Sequence, residues 1–203
     1  GRLKRIGLVC PYSWDIPGGV QAHVRDLAET FIAQGHSVSV LAPGDDDEPG
    51  LPAYVVTSGK AVPFPYNGSI ARVQFGLVSA ARVRRWLRDG GFDVVHVHEP
   101  AAASLSLLAC MMHDGPLVAT FHAPYRADPG PLRRMASLDR FAGIVLVSSA
   151  QAAFFAARLP RSVRCRTVLH GIDTQAFTPA SAPAPRRPAP FVVGFVGSFL
   201  RDF

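Results

Sequence analysis

Six short runs rich in Val, Ile and Leu recur along the chain, at residues 5–10, 37–41, 93–97, 117–121, 143–147 and 165–169, with helix-patterned stretches between several of them. Apolar runs of that length, spaced far enough apart for a crossover helix, are what buried parallel strands require. The pattern predicts an α/β fold: a Rossmann-like, doubly wound parallel sheet with helices on both faces. The first helix is the clearest. Val20, Val24, Leu27, Ala28, Phe31 and Ile32 repeat at the spacing of one buried helical face, and Gly35 supplies the stop. A chain of 203 residues that is 48% hydrophobic is long and apolar enough for one full core.

Residues 179–190 change to Pro, Ala, Ser and Arg without hydrophobic periodicity, which marks a linker. The expected organisation is therefore one domain over residues 1–178, the linker, and the first strand of a second α/β unit over 191–203, cut before most of that unit. The run at residues 6–10 is half the length of a signal-peptide core and reads as a buried strand. No segment approaches the roughly 20 apolar residues needed to cross a bilayer, so membrane contact is expected to be peripheral.

A formal charge of +6 and a pI near 9.8 favour a polyanionic partner, whether a phosphorylated ligand, an anionic membrane or nucleic acid. No RNA-binding signature or aromatic stacking platform accompanies the charge, which argues against nucleic acid. Cys10, Cys110 and Cys165 are few, odd in number and far apart, which points to a reducing, cytoplasmic compartment. The acidic stretch Asp45, Asp46, Asp47 and Glu48 is flanked by Gly and Pro and reads as a solvated turn.

After the first strand, residues 11–17 lead to Gly18 and Gly19, directly before the first helix. Glycines at a helix start let a ligand approach the free backbone N–H groups, and the helix dipole favours an anion there. A plain turn would use the same pair. His122 follows the run at 117–121, so it belongs at the carboxyl end of a parallel strand, where open α/β sheets bind ligands. A lone histidine there also serves as an ordinary hydrogen-bonded structural residue. His96, His98 and Glu99 carry metal-ligand chemistry but fit no standard zinc spacing, so no metal site is expected. Between Ser79 and Asp89 the helical period sets Arg82, Arg84, Arg85 and Arg88 on one side, opposite Ala80, Val83, Trp86 and Leu87. Such a helix packs on its own domain and attracts an anionic leaflet with its outer face.

Five strings, in order, resemble family 4 glycosyltransferases: residues 10–21 (CPYSWDIPGGVQ), 63–72 (PFPYNGSIAR), 93–100 (DVVHVHEP), 119–122 (ATFH) and 170–173 (HGID). The first two match most closely the phosphatidyl-myo-inositol mannosyltransferases of that family. The resemblance implies the amino-terminal, acceptor-binding domain of a GT-B fold. It implies a retaining transfer of mannose from GDP-mannose to phosphatidyl-myo-inositol, at the inner face of the plasma membrane. Gly18 and Gly19 would then meet the donor diphosphate. Tyr12, Gln21, Tyr66, Asn67, Ser69 and Arg72 would hold the acceptor, His122 and Pro63 would be catalytic positions, and Arg82, Arg84, Arg85 and Arg88 would touch the membrane. Asn67-Gly68 is also a turn signal, and Arg72 is equally readable as a surface charge. No tightly bound cofactor is implied; any Mg²⁺ arrives on the nucleotide-sugar diphosphate. Two other readings stand beside it: a family 4 enzyme with another acceptor, and a non-catalytic anionic-lipid-binding module. The oligomeric state is not encoded in any motif.

Overall fold

A computed structural model of the chain describes residues 2–66, 69–123, 140–157, 162–179 and 194. Its centre is a seven-stranded sheet made of β1 (Arg5–Val9), β2 (Ser37–Ala42), β3 (Val55–Thr57), β6 (Val94–His98), β7 (Leu117–Phe121), β8 (Gly143–Leu146) and β9 (Cys165–Thr167). Their order is β3-β2-β1-β6-β7-β8-β9, and every pairing is parallel. All six sequence runs are strands. The chain order reverses between β1 and β6, so the carboxyl ends of those two strands open the crevice that this topology uses for ligands. β4 (Val62–Tyr66) and β5 (Ser69–Val73) form a separate antiparallel hairpin.

Two layers of side chains follow from the period-two alternation of the strands. Ile6, Leu8 and Cys10 of the β1 segment face α1 (Gly19–Ala33), where Val24 and Ala28 are fully buried. Val9, Val95 and Val97 face the other way, into a core shared with α2 (Leu77–Gly90), α3 (Leu105–Met112) and α4 (Ser149–Ala156). Helices therefore cover both faces of the sheet. Gly7 sits where this second layer comes closest: a Cβ there would lie 2.7 Å from Cη2 of Trp86 and 2.9 Å from the Phe92 ring. The indole is fixed by donating its N–H to Ser39 Oγ at 2.9 Å.

The first helix ends as its sequence predicts. Gly35 takes φ +89°, its N–H reaches the Ile32 carbonyl, and His36 N–H reaches that of Phe31. Ile32 is the exception on the apolar face, at 41% exposure. It lies about 80° around the helix from Val24, at the edge of the buried arc. The acidic stretch is a turn, with Asp47 N–H on Asp45 Oδ1 and Lys60 3.3 Å from the Asp45 carboxylate. The expected linker over 179–190 and second unit over 191–203 fall, apart from residues 179 and 194, outside the described residues. Among those described, no helix is long and apolar enough to cross a membrane.

Candidate active site

Residues 10–18 form a pinned loop. Gln21, in the first turn of α1 and only 8% exposed, donates its side-chain amide to the carbonyls of Ser13 at 3.1 Å and Ile16 at 3.0 Å. Trp14 N–H reaches the Pro43 carbonyl at 2.8 Å, and Arg25 stacks on the Trp14 ring at 5.1 Å. Gly18 is extended and offers no side chain to cap the helix, and the first turn of α1 carries no acidic residue. The two glycines differ. A Cβ at Gly18 would meet the Gln21 amide oxygen at 2.4 Å, whereas at Gly19 nothing lies within 4 Å. The open amide end of α1 is therefore in front of Gly19, with the positive end of the helix dipole behind it.

His96 and His98 share one face of β6 because they are two residues apart, and that face looks toward α1 while Val95 and Val97 fill the opposite core. The register places His98 beside Thr120 of β7, so His122, two residues further on, emerges on the same side. His96 Nε2 is 2.7 Å from Thr120 Oγ1, and the His96 and His98 rings stack at 4.4 Å. His98 Nδ1 lies 2.9 Å from His122 Nε2. His23, one turn beyond Gly19, closes the group, with its ring 5.3 Å from that of His122 and 5.6 Å from that of His98. His170, exposed beyond β9, meets His23 at 3.2 Å between their Nδ1 atoms.

Crowding and burial hold these rings neutral. Desolvation, then the neighbouring rings of His23, His170 and His96, bring His122 down to about 3. Desolvation and His23 lower His96 to about 4, and His98 is pushed well below its ordinary value mainly by burial. A neutral imidazole both donates and accepts, so His122 can meet a ligand hydroxyl in either sense, according to its tautomer.

The backbone that carries His122 is held from two sides. Glu99, fully buried at the end of β6, accepts the N–H groups of His122 and Ala123 on one carboxylate oxygen, both at 2.8 Å. Gln151 of α4 donates to the Ala123 carbonyl at 2.7 Å. Glu99 has φ +47°, a left-handed conformation uncommon outside glycine, and its own N–H is bonded to the Thr120 carbonyl at 2.8 Å.

Not every residue singled out in the sequence converges here. His122 meets His23 of α1, and Gly19 begins that helix one turn earlier. Gln21 shapes the loop from beneath, and Tyr12 packs partly against the α1-side core. Pro63 lies exposed in the hairpin, paired with Arg72, and a proline contributes only its carbonyl as a polar group. Tyr66, Ser69 and Arg72 are in the hairpin strands, but their side chains, like Asn67 altogether, lie outside the described residues. In α2, Arg84, Arg85 and Arg88 are exposed, and Val83 and Trp86 are buried as the period predicts. Arg82 is instead half-buried with its guanidinium against Gly59, and Arg88 pairs with Asp89 at 2.9 Å. His23 and His170 were not among the candidates of the sequence, nor was the anchoring role of Glu99. The available signal was the alternation His96-Val97-His98, repeated across the register by Thr120-Phe121-His122.

A separate cavity of about 410 Å³ runs along the loop, lined among others by Asp15, Gly18, Gln21, Arg25, Asp26 and Glu48. Three carboxylates against one guanidinium make it a poor place for a diphosphate, which favours the open side at Gly19.

Comparison with known proteins agrees with this architecture. The model of Glycosyltransferase Family 4 matches residues 17–176. A phosphatidyl-myo-inositol mannosyltransferase of Mycobacterium leprae is 59% identical over 118 residues, 58% of this chain and 31% of that protein. Its counterpart in Propionibacterium freudenreichii subsp. shermanii is 51% identical over 124 residues, 58% of this chain and 32% of that protein. The aligned region is thus about a third of the length of these curated relatives. A sucrose-phosphate synthase structure from Thermosynechococcus elongatus superposes with a TM-score of 0.58 at 15% identity, covering 87% of this chain and 50% of that one. A glycosyltransferase from Rickettsia africae gives 0.55 at 16% identity, covering 88% and 46%.

Proposed function

The chain belongs to glycosyltransferase family 4, with the sheet of the GT-B amino-terminal half, and from that premise we propose that it is the acceptor side of a retaining mannosyltransferase. The donor is GDP-mannose and the acceptor phosphatidyl-myo-inositol. The observation that carries the proposal is an uncapped, sterically open helix start at Gly19, one turn before His23, whose ring faces the neutral imidazole of His122. The identity to phosphatidyl-myo-inositol mannosyltransferases, 57–59% for the mycobacterial ones, supports the choice of substrates.

In this reading the diphosphate lies against the amides at Gly19, which stabilise the charge that grows on it as the glycosidic bond breaks. Any Mg²⁺ travels on that diphosphate. His122 orients a sugar hydroxyl, and Glu99 with Gln151 holds His122 in place. The Glu99 carboxylate is turned onto two backbone amides, so it is a positioning residue. Transfer then depends on orientation and charge stabilisation at the leaving group, with acceptor and donor held in one crevice. Tyr12 and the hairpin residues Tyr66, Asn67, Ser69 and Arg72 would hold the inositol phosphate, the last through paired charge-assisted hydrogen bonds.

The lipid acceptor calls for a surface that meets a membrane, and we place the protein peripherally at the cytoplasmic leaflet. Arg84, Arg85 and Arg88 are exposed on α2, and Val62, Phe75, Leu77 and Val78 beside its start are exposed by 52–91%. Apolar side chains beside arginines are the combination that inserts into and adheres to an anionic interface.

The test is direct. The protein as its gene encodes it, incubated with GDP-mannose and phosphatidylinositol vesicles, should yield mannosylated lipid, and Arg72→Ala should raise the KM for the lipid with little change for GDP-mannose. Transfer to a soluble glycoside with none to phosphatidylinositol would overturn the acceptor assignment.

A further inference from the structure

One ring nitrogen from each of His23, His98 and His122 lies within 4.8 Å of the others, in a group with no carboxylate among its members. We propose that these three imidazoles form a binding site for a borderline divalent transition metal of the Zn²⁺ class. Imidazole nitrogen suits Zn²⁺, Ni²⁺ and Cu²⁺ and discriminates against Mg²⁺ and Ca²⁺, which take oxygen ligands. Three histidines leave one tetrahedral position open for water or another ligand.

Three features of the fold support the assignment. The ligands come from three different elements whose relative positions are set by the sheet: His98 ends β6, His122 follows β7, and His23 sits on α1 above them. The set is therefore built by tertiary structure, as a metal site of fixed geometry needs. Second, His98 is fully buried and its Nδ1 already faces His122 Nε2 at 2.9 Å, so two candidate ligand atoms converge away from bulk water. Third, there is a way in. His23 is half-buried and lines a cavity of about 520 Å³ between α1 and the segment Gly171, Ile172 and Asp173.

Geometry requires a modest adjustment. Zn–N bonds of about 2.0–2.1 Å bring tetrahedral ligand atoms to roughly 3.4 Å of one another. His98 and His122 already meet at 2.9 Å. The half-buried His23 is the arm that closes, and His170, in contact with it at 3.2 Å, moves with it. A metal on His122 Nε2 fixes the other ring nitrogen as a donor and fills the space beside it, so metal loading is expected to inhibit the proposed sugar transfer. That consequence rests on the proposed function; the binding itself does not.

Binding is measured on the 203-residue chain, without substrate, by equilibrium dialysis against Zn²⁺ and by the visible absorption of Co²⁺ in the same site. The expected result is one equivalent of Zn²⁺ and an intense, low-symmetry Co²⁺ spectrum. His23→Ala and His122→Ala should each weaken binding by more than the roughly 10–100-fold that loss of a mere outer partner costs. His36→Asn, remote from the group, should bind as the parent does. His23 is half-buried on a helix, so its alanine variant is expected to fold, as circular dichroism would verify. Less than stoichiometric binding, an octahedral Co²⁺ spectrum, or binding that survives His23→Ala but not His36→Asn would overturn the site. Inhibition of turnover by Zn²⁺ is scored separately: stoichiometric binding without inhibition keeps the metal site and removes His122 from the transfer step.

Discussion

A single carboxylate oxygen of Glu99 receives the backbone N–H groups of both His122 and Ala123, each at 2.8 Å. The side chain belongs to the turn after β6 and the amides to the turn after β7, so the bond ties together two strand ends on the crevice. Replacing Glu99 by Ala orphans two partly buried donors. Each should cost about 1–3 kcal/mol, read as a lower urea midpoint at unchanged m-value. Glu99→Gln keeps an acceptor oxygen and should lose less stability. Its effect should appear chiefly in kcat, because His122 is then held by a weaker, uncharged partner. A Glu99→Ala protein as stable as the parent would show that these contacts carry no energy.

Two glycines give opposite forecasts for the same substitution. Gly7→Ala drives a methyl group to 2.7 Å from the Trp86 indole, and overpacking of this kind costs about 1–3 kcal/mol. Gly19→Ala meets nothing within 4 Å, so folding stability should change by less than about 0.5 kcal/mol. What it should lose is affinity for GDP-mannose, because the added methyl occupies the approach to the amides. Calorimetric titration with GDP-mannose beside thermal melts of both variants separates the two effects. Normal donor binding by Gly19→Ala would remove the helix start from the site.

Acid should weaken the fold in a defined window. His96 has a folded value of about 4 against 6.5 for the unconstrained side chain, so between those pH values the unfolded chain binds the additional proton. Stability is then full above pH 6.5 and falls as pH drops toward 4, by about 2 kcal/mol at pH 5 from His96 alone. His122, lowered to about 3, acts in the same direction and extends the loss further down. Urea denaturation at pH 7.5, 6 and 5 gives the slope. A profile flat to pH 5 would mean that the histidine group is open to water.

On the outer face of α2, Arg84 and Arg85 are exposed. Changing either to Gln should reduce binding to vesicles rich in anionic lipid by about five-fold, with the difference fading as salt rises. Sedimentation with vesicles of stated phosphatidylinositol content measures this. Arg88, already paired with Asp89, should contribute less than either.

Much of the architecture was legible because it rests on local pattern. The six apolar runs became strands, and the α1 face and its Gly35 stop followed from spacing. The edge strand Val55–Thr57 escaped because three residues carry no period. Helix Leu105–Met112 escaped because it is buried nearly all round and so shows no polar face. The hairpin bears Pro63 and Pro65, which read as breakers and are tolerated in a two-stranded sheet with free edges. In the candidate site, the placement of Gly19 at a helix start and of His122 after a strand end was legible; the roles given to them are the proposed ones. His23 was not, since one histidine on a helix surface acquires meaning only once α1 lies across the ends of β6 and β7. The anchoring role of Glu99 was not legible, because its partners are backbone amides, which no residue pattern announces.

The alternation in β6 has a bearing on how the molecule acquires its competence. His96 and His98 point one way and Val95 and Val97 the other, so sliding this strand by a single position against its neighbours would trade the two sets. Two imidazoles would enter an aliphatic layer and two isopropyl groups would line the crevice. The same choice of pairing that lets the chain bury its valines therefore installs its histidines, and a mispaired strand forfeits solvent exclusion and chemistry in one stroke.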